Sequence, residues 1–160
     1  MRTIARLLAT GFGLGYAPIA SGTVGTLPGL FIAYWLAPLS SLPWGWFWQA
    51  VVCLALIALS IAVCEETERQ FGAKDDGRIV ADEYLTFPIT LIGLPFTPIT
   101  ACLAFFTARV FDIIKPPPAR RLQELHGGLG ITIDDVFSSL YSLAVNHLVY
   151  RWVVVPWLTS

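Results

Sequence analysis

Three stretches of the chain carry no Asp, Glu, Lys or Arg: residues 7–64, 84–108 and 136–150. Between them stand two polar blocks, Glu65–Glu83 and Arg109–Asp135. A helix needs roughly 20 apolar residues to cross a hydrocarbon core, and each charge-free run is read against that length. The first is long enough for more than one pass. Its segment Gly11–Gly29, however, holds glycines 11, 13, 15, 22, 25 and 29 together with Pro18 and Pro28. Such a density does not make one regular spanning helix; it predicts a loop, a re-entrant segment or the start of a short helix. Residues 29–37 and 46–64 then read as a helical hairpin, with Trp44, Trp46 and Trp48 at a membrane–water interface.

The run 84–108 is long enough to cross once, yet Gly93, Pro95 and Pro98 interrupt it. Two short helices that dip in and return fit equally well. Within the first polar block, Asp75-Asp76-Gly77 predicts a turn. The second block is broken by Pro116-Pro117-Pro118 and by His126-Gly127-Gly128-Leu129-Gly130. A last helix is expected from about Val136 to Val155, which puts Arg151 about 24 Å beyond Asp135, able to snorkel beside Trp152. If 84–108 returns, Arg2, Arg6, Lys74, Arg78, Lys115, Arg120 and Arg121 share one side, which the positive-inside tendency makes cytoplasmic.

Composition sharpens this pattern. The 160 residues fit one domain, 1–160, but 56% are apolar and only 13% charged, and the mean hydropathy is +0.68. A soluble sphere of that size could not cover itself with polar side chains. Disorder, coiled coil and collagen are excluded, and a net charge of −1 with no basic tract excludes a nucleic-acid partner. The expected fold is all-α: a multihelical, membrane-embedded bundle with a Gly/Pro-rich N-terminal loop and re-entrant or broken helices. The apolar N-terminal stretch is too long for a cleavable signal peptide. Cys53, Cys64 and Cys102 lack metal or disulfide spacing and read as packing residues within the bilayer.

Acidic residues at the edges of the apolar runs carry the candidate chemistry. Asp82-Glu83, Asp112 and Asp134-Asp135 form three short groups, with Arg109 and Lys115 flanking Asp112 at three-residue spacing. On a helix, 109, 112 and 115 fall on one face. Each group has a plain structural explanation: an N-cap for Thr132-Ile133-Asp134-Asp135, an intrahelical ion pair for Asp112, a membrane boundary for Asp82-Glu83. Together they suggest more, because carboxylates beside a bilayer are costly. Oxygen ligands of this kind suit Mg²⁺ or Mn²⁺, and Arg109 with Lys115 would complement phosphate. Ser21-Gly22-Thr23-Val24-Gly25-Thr26 offers backbone N–H groups to an anion, or simply close helix packing; it is not a P-loop. His126 reads as a turn histidine and His147 as an interhelical hydrogen-bonder.

Four blocks in order, Gly13-Leu-Gly15-Tyr-Ala-Pro18-Ile-Ala-Ser21-Gly22-Thr23-Val-Gly25-Thr26-Leu, Ile79-Val-Ala-Asp82-Glu83, Arg109-Val-Phe-Asp112-Ile-Ile-Lys115-Pro116-Pro117-Pro118 and Gly128-Leu-Gly130-Ile-Thr-Ile-Asp134-Asp135, resemble the phosphatidylglycerophosphatase A family. The resemblance implies a multi-pass bacterial inner-membrane enzyme that uses Mg²⁺ to hydrolyse the terminal phosphomonoester of phosphatidylglycerophosphate on the cytoplasmic side. It implies an active site of Asp82, Glu83, Arg109, Asp112, Lys115, Asp134 and Asp135 with Thr23 nearby. In it Asp82, Glu83, Asp134 and Asp135 hold metal, and Thr23, Arg109 and Lys115 meet the phosphate of a phospholipid in the bilayer. Two positions depart from the family pattern: Ser21, where many members have proline, and Tyr84-Leu-Thr-Phe after Asp82-Glu83. Activated water and an aspartyl-phosphate intermediate both remain open as routes. The rival readings are a small Mg²⁺ or other ion transporter, a CDP-alcohol phosphotransferase and a histidine-dependent phosphatase; the last lacks its histidine motifs here.

Overall fold

The computed structural model describes residues 2–73 and 76–159. Lys74, counted above among the basic residues of one side, and Asp75 of the expected turn lie outside them, and so does the Arg2 side chain. Among the described residues all regular structure is helical: α1 (Arg2–Ala9), α2 (Ser21–Gly25), α3 (Leu27–Leu36), α4 (Gly45–Phe71), α5 (Ala81–Thr86), α6 (Pro98–Ile114), α7 (Ala119–Leu122), α8 (Gly127–Val149) and α9 (Val155–Thr159). Tight 3-10 turns fill Gly11–Tyr16, Ala37–Ser41 and Phe87–Leu91, and a π-turn at Tyr150–Val154 joins α8 to α9.

The apolar run 84–108 does not make one helix. It divides at residues 92–97 into an inner segment, α5 with the 3-10 turn after it, and the start of α6. Pro98 sits in the first turn of α6, where its missing N–H is harmless, and Thr97 and Thr100 form a reciprocal capping box. The inner segment is the centre of the protein. Val80, Ala81, Tyr84 and Leu85 pack with Val63, Cys64 and Ile131, while Phe87, Leu91 and Leu94 pack with Ala33, Ala104 and Ala108. Its far end has side chains satisfying its backbone: Asn146 Nδ2 donates to Thr90 O (3.0 Å), His147 Nε2 lies 2.9 Å from Ile92 O, and Gly93 N–H donates to Gln49 Oε1 (2.9 Å).

Glycines set the spacing around this centre. A Cβ on Gly25 would lie 2.5 Å from the Val80 side chain, and one on Gly29 would lie 2.6 Å from Phe87, so α2 and α3 rest directly on the inner segment. Gly128 does the same for α8 on α4, where a Cβ would lie 2.0 Å from Ile61 O. Ser60 and Thr132 share a hydrogen bond (2.9 Å) at that crossing.

Several expectations change. The last helix starts at Gly127 rather than Val136, so Asp134 and Asp135 sit two turns inside α8 and do not cap it. Residues 65–71 continue α4, supported by the i,i+4 pairs Glu65–Arg69 (2.6 Å) and Glu66–Gln70 (3.0 Å), until Gly72 ends it in the left-handed region. Cys53 and Cys64 are buried, but Cys102 is exposed and fills no interior space.

Two helical segments, Ser21–Ser41 and Gly45–Phe71, are long and apolar enough to cross a membrane. Large apolar side chains also face outward, among them Phe31, Trp35, Leu54, Phe106, Trp152 and Trp157. At the opposite end of α4 from Trp44, Arg78 and Arg6 stack over Phe71 at 4.1 and 5.4 Å.

Candidate active site

α5 starts at Ala81, which puts Asp82 and Glu83 in its first turn, where acidic groups suit the helix dipole. α6 contributes Arg109 and Asp112 from its last turns, and α8 brings Asp134 and Asp135. Five carboxylates from three helices therefore line one open cleft of ≈ 370 Å³, with Lys115 beside them. All seven charged residues lie outside the charge-free runs 7–64, 84–108 and 136–150.

Three ion pairs order the site. Arg109 Nη1 bridges Asp112 Oδ2 (2.9 Å) and Glu83 Oε2 (3.4 Å), joining α6 to α5. Lys115 does not stay on the helical face that its spacing predicts. It takes a left-handed conformation (φ 46°) that ends α6 before Pro116. Its Nζ reaches α8 instead, 2.5 Å from Asp134 Oδ2 and 3.1 Å from Gln123 Oε1.

Next to the cleft, Glu83, Arg109, Asp112 and Asp135 also border a small pocket of ≈ 20 Å³ with Thr26, Thr86, Ser138 and Ser139. That volume suits one water-sized group. Like Glu83 and Asp112, Asp135 lines both spaces. Burial pushes its carboxyl well above the usual carboxylate range, and repulsion from Asp112, Asp82, Asp134 and Glu83 adds to the shift. Burial likewise raises Glu83 to about 7 against the attraction of Arg109. On Lys115 burial opposes the charge, but the bond to Asp134 and the neighbouring carboxylates outweigh it and lift the ammonium to about 12. Arg109 Nε is buried without a hydrogen-bond partner among the described residues.

The seven charged residues expected at the site thus come together. Thr23 does not line either space; Thr26, one turn later, does, with its Oγ1 3.3 Å from Glu83 Oε2. The loop's glycines serve packing: a Cβ on Gly22 would lie 2.2 Å from Glu83 Oε1 and 2.9 Å from Arg109 Nη2. Residues that sequence reasoning missed follow the acids by one helical turn, Thr86 after Asp82, Ser138 after Asp134 and Ser139 after Asp135, a spacing that marks a shared face. Among the described residues no three His, Cys, Asp or Glu side chains converge on one point as a complete metal cage.

The sequence profile of phosphatidylglycerophosphatase A matches residues 7–150. A protein of that name from Escherichia coli (strain K12) is 35% identical over 149 residues, covering 91% of this chain and 84% of its own. Another from Haemophilus influenzae is 35% identical over 150 residues, covering 92% and 90%. A Bacteroides thetaiotaomicron protein provisionally named a phosphatidylinositol-3-phosphatase is 35% identical over 156 residues, covering 92% and 94%. No solved structure matches the chain. With the profile spanning nearly its whole length and all four of its motif blocks meeting around one acidic cleft, the chain belongs to the phosphatidylglycerophosphatase A family.

Proposed function

We propose that the protein is a Mg²⁺-dependent lipid phosphatase that converts phosphatidylglycerophosphate to phosphatidylglycerol and phosphate. It would work on the cytoplasmic side of a bacterial inner membrane that it crosses more than once. The observation that carries this reading is the meeting of five carboxylates with Lys115 in a single cleft beside apolar helices, with Arg109 paired to two of those carboxylates. An ion-conducting path would instead need acids spread through the apolar depth, and the runs 84–108 and 136–150 hold none.

The donor set fits a hard divalent cation, because every candidate ligand is an oxygen. Burial is the main cause that raises Asp135, and the carboxylate crowding that adds to it is a surplus of negative charge that such a cation would relieve. Mg²⁺ keeps several waters and takes one or two carboxylates, so it does not require three to converge. Asp82, Glu83, Asp134 and Asp135 would hold it. A cation held by these residues would supply Lewis acidity toward phosphoryl oxygens and water.

The chain's own groups do the rest. The guanidinium of Arg109, fixed by Asp112, and the ammonium of Lys115 face the charge on the transferring phosphoryl group. In the net reaction water adds to phosphorus, the bond from phosphorus to the glycerol oxygen breaks, and the released alcohol takes up a proton. The acyl chains stay against the outward apolar side chains while the headgroup enters the cleft. The basic residues Arg6 and Arg78 near the Phe71 end, with Lys115 at the cleft, support the cytoplasmic orientation.

The test is phosphate release from phosphatidylglycerophosphate by detergent-purified protein. Release is expected with Mg²⁺, loss with EDTA, and recovery when Mg²⁺ is restored; phosphatidylinositol 3-phosphate in the same assay is expected to be the poorer substrate. Folded protein that releases nothing in either condition would reject the reading. Gly22→Ala is expected to cost about ten- to hundredfold in turnover, because its methyl group displaces Glu83 and Arg109 by a fraction of an ångström to an ångström. Its melting temperature should barely move, since only side-chain ends have to shift. A large fall in melting temperature would assign Gly22 to folding instead.

A further inference from the structure

The cleft holds one neutral hydrogen-bonding side chain among the described residues. Apart from Gly77, its walls are the five carboxylates, Lys115 and three isoleucines, Ile79, Ile113 and Ile131; Ser21, half-buried at the first position of α2, is the exception. Ser21 Oγ donates its proton to Gly77 O at 3.1 Å. With that proton committed, the oxygen can only accept a hydrogen bond from whatever occupies the cleft. An acceptor repels phosphate oxygens and favours an alcohol. The proposed substrate carries one free alcohol, on the glycerol carbon between its inner phosphodiester and its terminal phosphomonoester.

We infer that Ser21 is a specificity-determining residue that accepts a hydrogen bond from this headgroup hydroxyl and so selects a glycerol-linked phosphomonoester. The inference rests on the phosphatase reading above and adds a role for a neutral group beside the charged ones. Arg109 and Lys115 recognise phosphate in any phosphomonoester. Ser21 distinguishes the linker that carries it, from the wall built by α2 and the segment around Gly77.

The experiment compares phosphatidylglycerophosphate with an analogue whose linker is 1,3-propanediol, which keeps both phosphates and lacks the hydroxyl. The unaltered protein is expected to prefer the natural linker by about three- to tenfold in kcat/KM, the range of one solvent-competed hydrogen bond. Ser21→Ala should bring that ratio close to one, with the loss appearing in KM rather than kcat. Ser21→Thr, which retains the hydroxyl, should restore the preference. Equal losses on both substrates, with the ratio unmoved, would make Ser21 a structural tie to Gly77 and overturn the inference. No hydrolysis of either lipid by the unaltered protein would overturn the phosphatase reading itself, and this inference with it.

Discussion

Asp135→Asn is expected to lower phosphate release by about a thousandfold or more while making the protein harder to unfold. The two effects have one cause. The Asp135 carboxyl is buried and feels Asp112, Asp82, Asp134 and Glu83, so its ionisation works against the folded state. An amide of the same shape removes that repulsion and fills the same space, and the melting temperature in detergent should hold or rise. The same amide cannot serve as an anionic ligand for a divalent cation, so turnover should collapse. Opposite movement of activity and stability marks a group kept for chemistry at a cost to the fold. Asp82→Asn should show the same loss of turnover. Near-normal turnover in both variants would remove these carboxylates from the reaction, and a large fall in stability would make Asp135 a structural residue.

Lys115→Met carries the second large effect. Phosphate release should drop by about a hundredfold, because one of the two cations facing the phosphoryl group is gone. The variant should also lose about 2 kcal/mol of stability, since Asp134, only 5% exposed, is left without its ammonium partner. Lys115 itself is 26% exposed, which keeps the figure below that of a fully buried pair. The double variant Lys115→Met, Asp134→Asn isolates the stability role, because Asp134 is itself a proposed metal ligand. Its melting temperature should recover because the buried charge is removed, while its turnover should stay low. Recovery of turnover together with stability would reduce Lys115 to a counter-ion for Asp134.

Much of the site was legible in the sequence because its charges are so scarce. With three charge-free runs, the acids at their edges stand out, and the structure brings Asp82, Glu83, Asp112, Asp134 and Asp135 to one cleft. The pairing of those charges was not legible. Spacing puts Arg109, Asp112 and Lys115 on one helical face, but the left-handed turn at Lys115 before three prolines sends its ammonium to another helix. The hydroxyls were missed for a related reason. Thr86, Ser138 and Ser139 sit in charge-free runs where nothing singles them out, and only the α5, α6 and α8 crossing turns them inward. The helix boundaries show the limit of local signals. Gly127-Gly128-Leu129-Gly130 reads as a breaker, yet Gly128 is needed where α8 meets Ile61 of α4, and tertiary contact outweighs low helix propensity. Just beyond that contact on α4, charged residues continue the helix through their own i,i+4 pairs.

The clamp on the inner segment also sets an order of assembly. Residues 90–93 emerge from synthesis well before residues 146 and 147, yet the carbonyls of Thr90 and Ile92 meet Asn146 and His147, while Gly93 meets Gln49 from a helix already made. The nascent chain can therefore dock one side of this turn early and the other only after α8 has been delivered. Until then the carboxylates of α5 are carried on a segment held at one side, and those of α8 have not joined them. A chain truncated before α8 would lack two of the five acids and half of the clamp, so seating the inner segment and completing the acidic cleft are one late event.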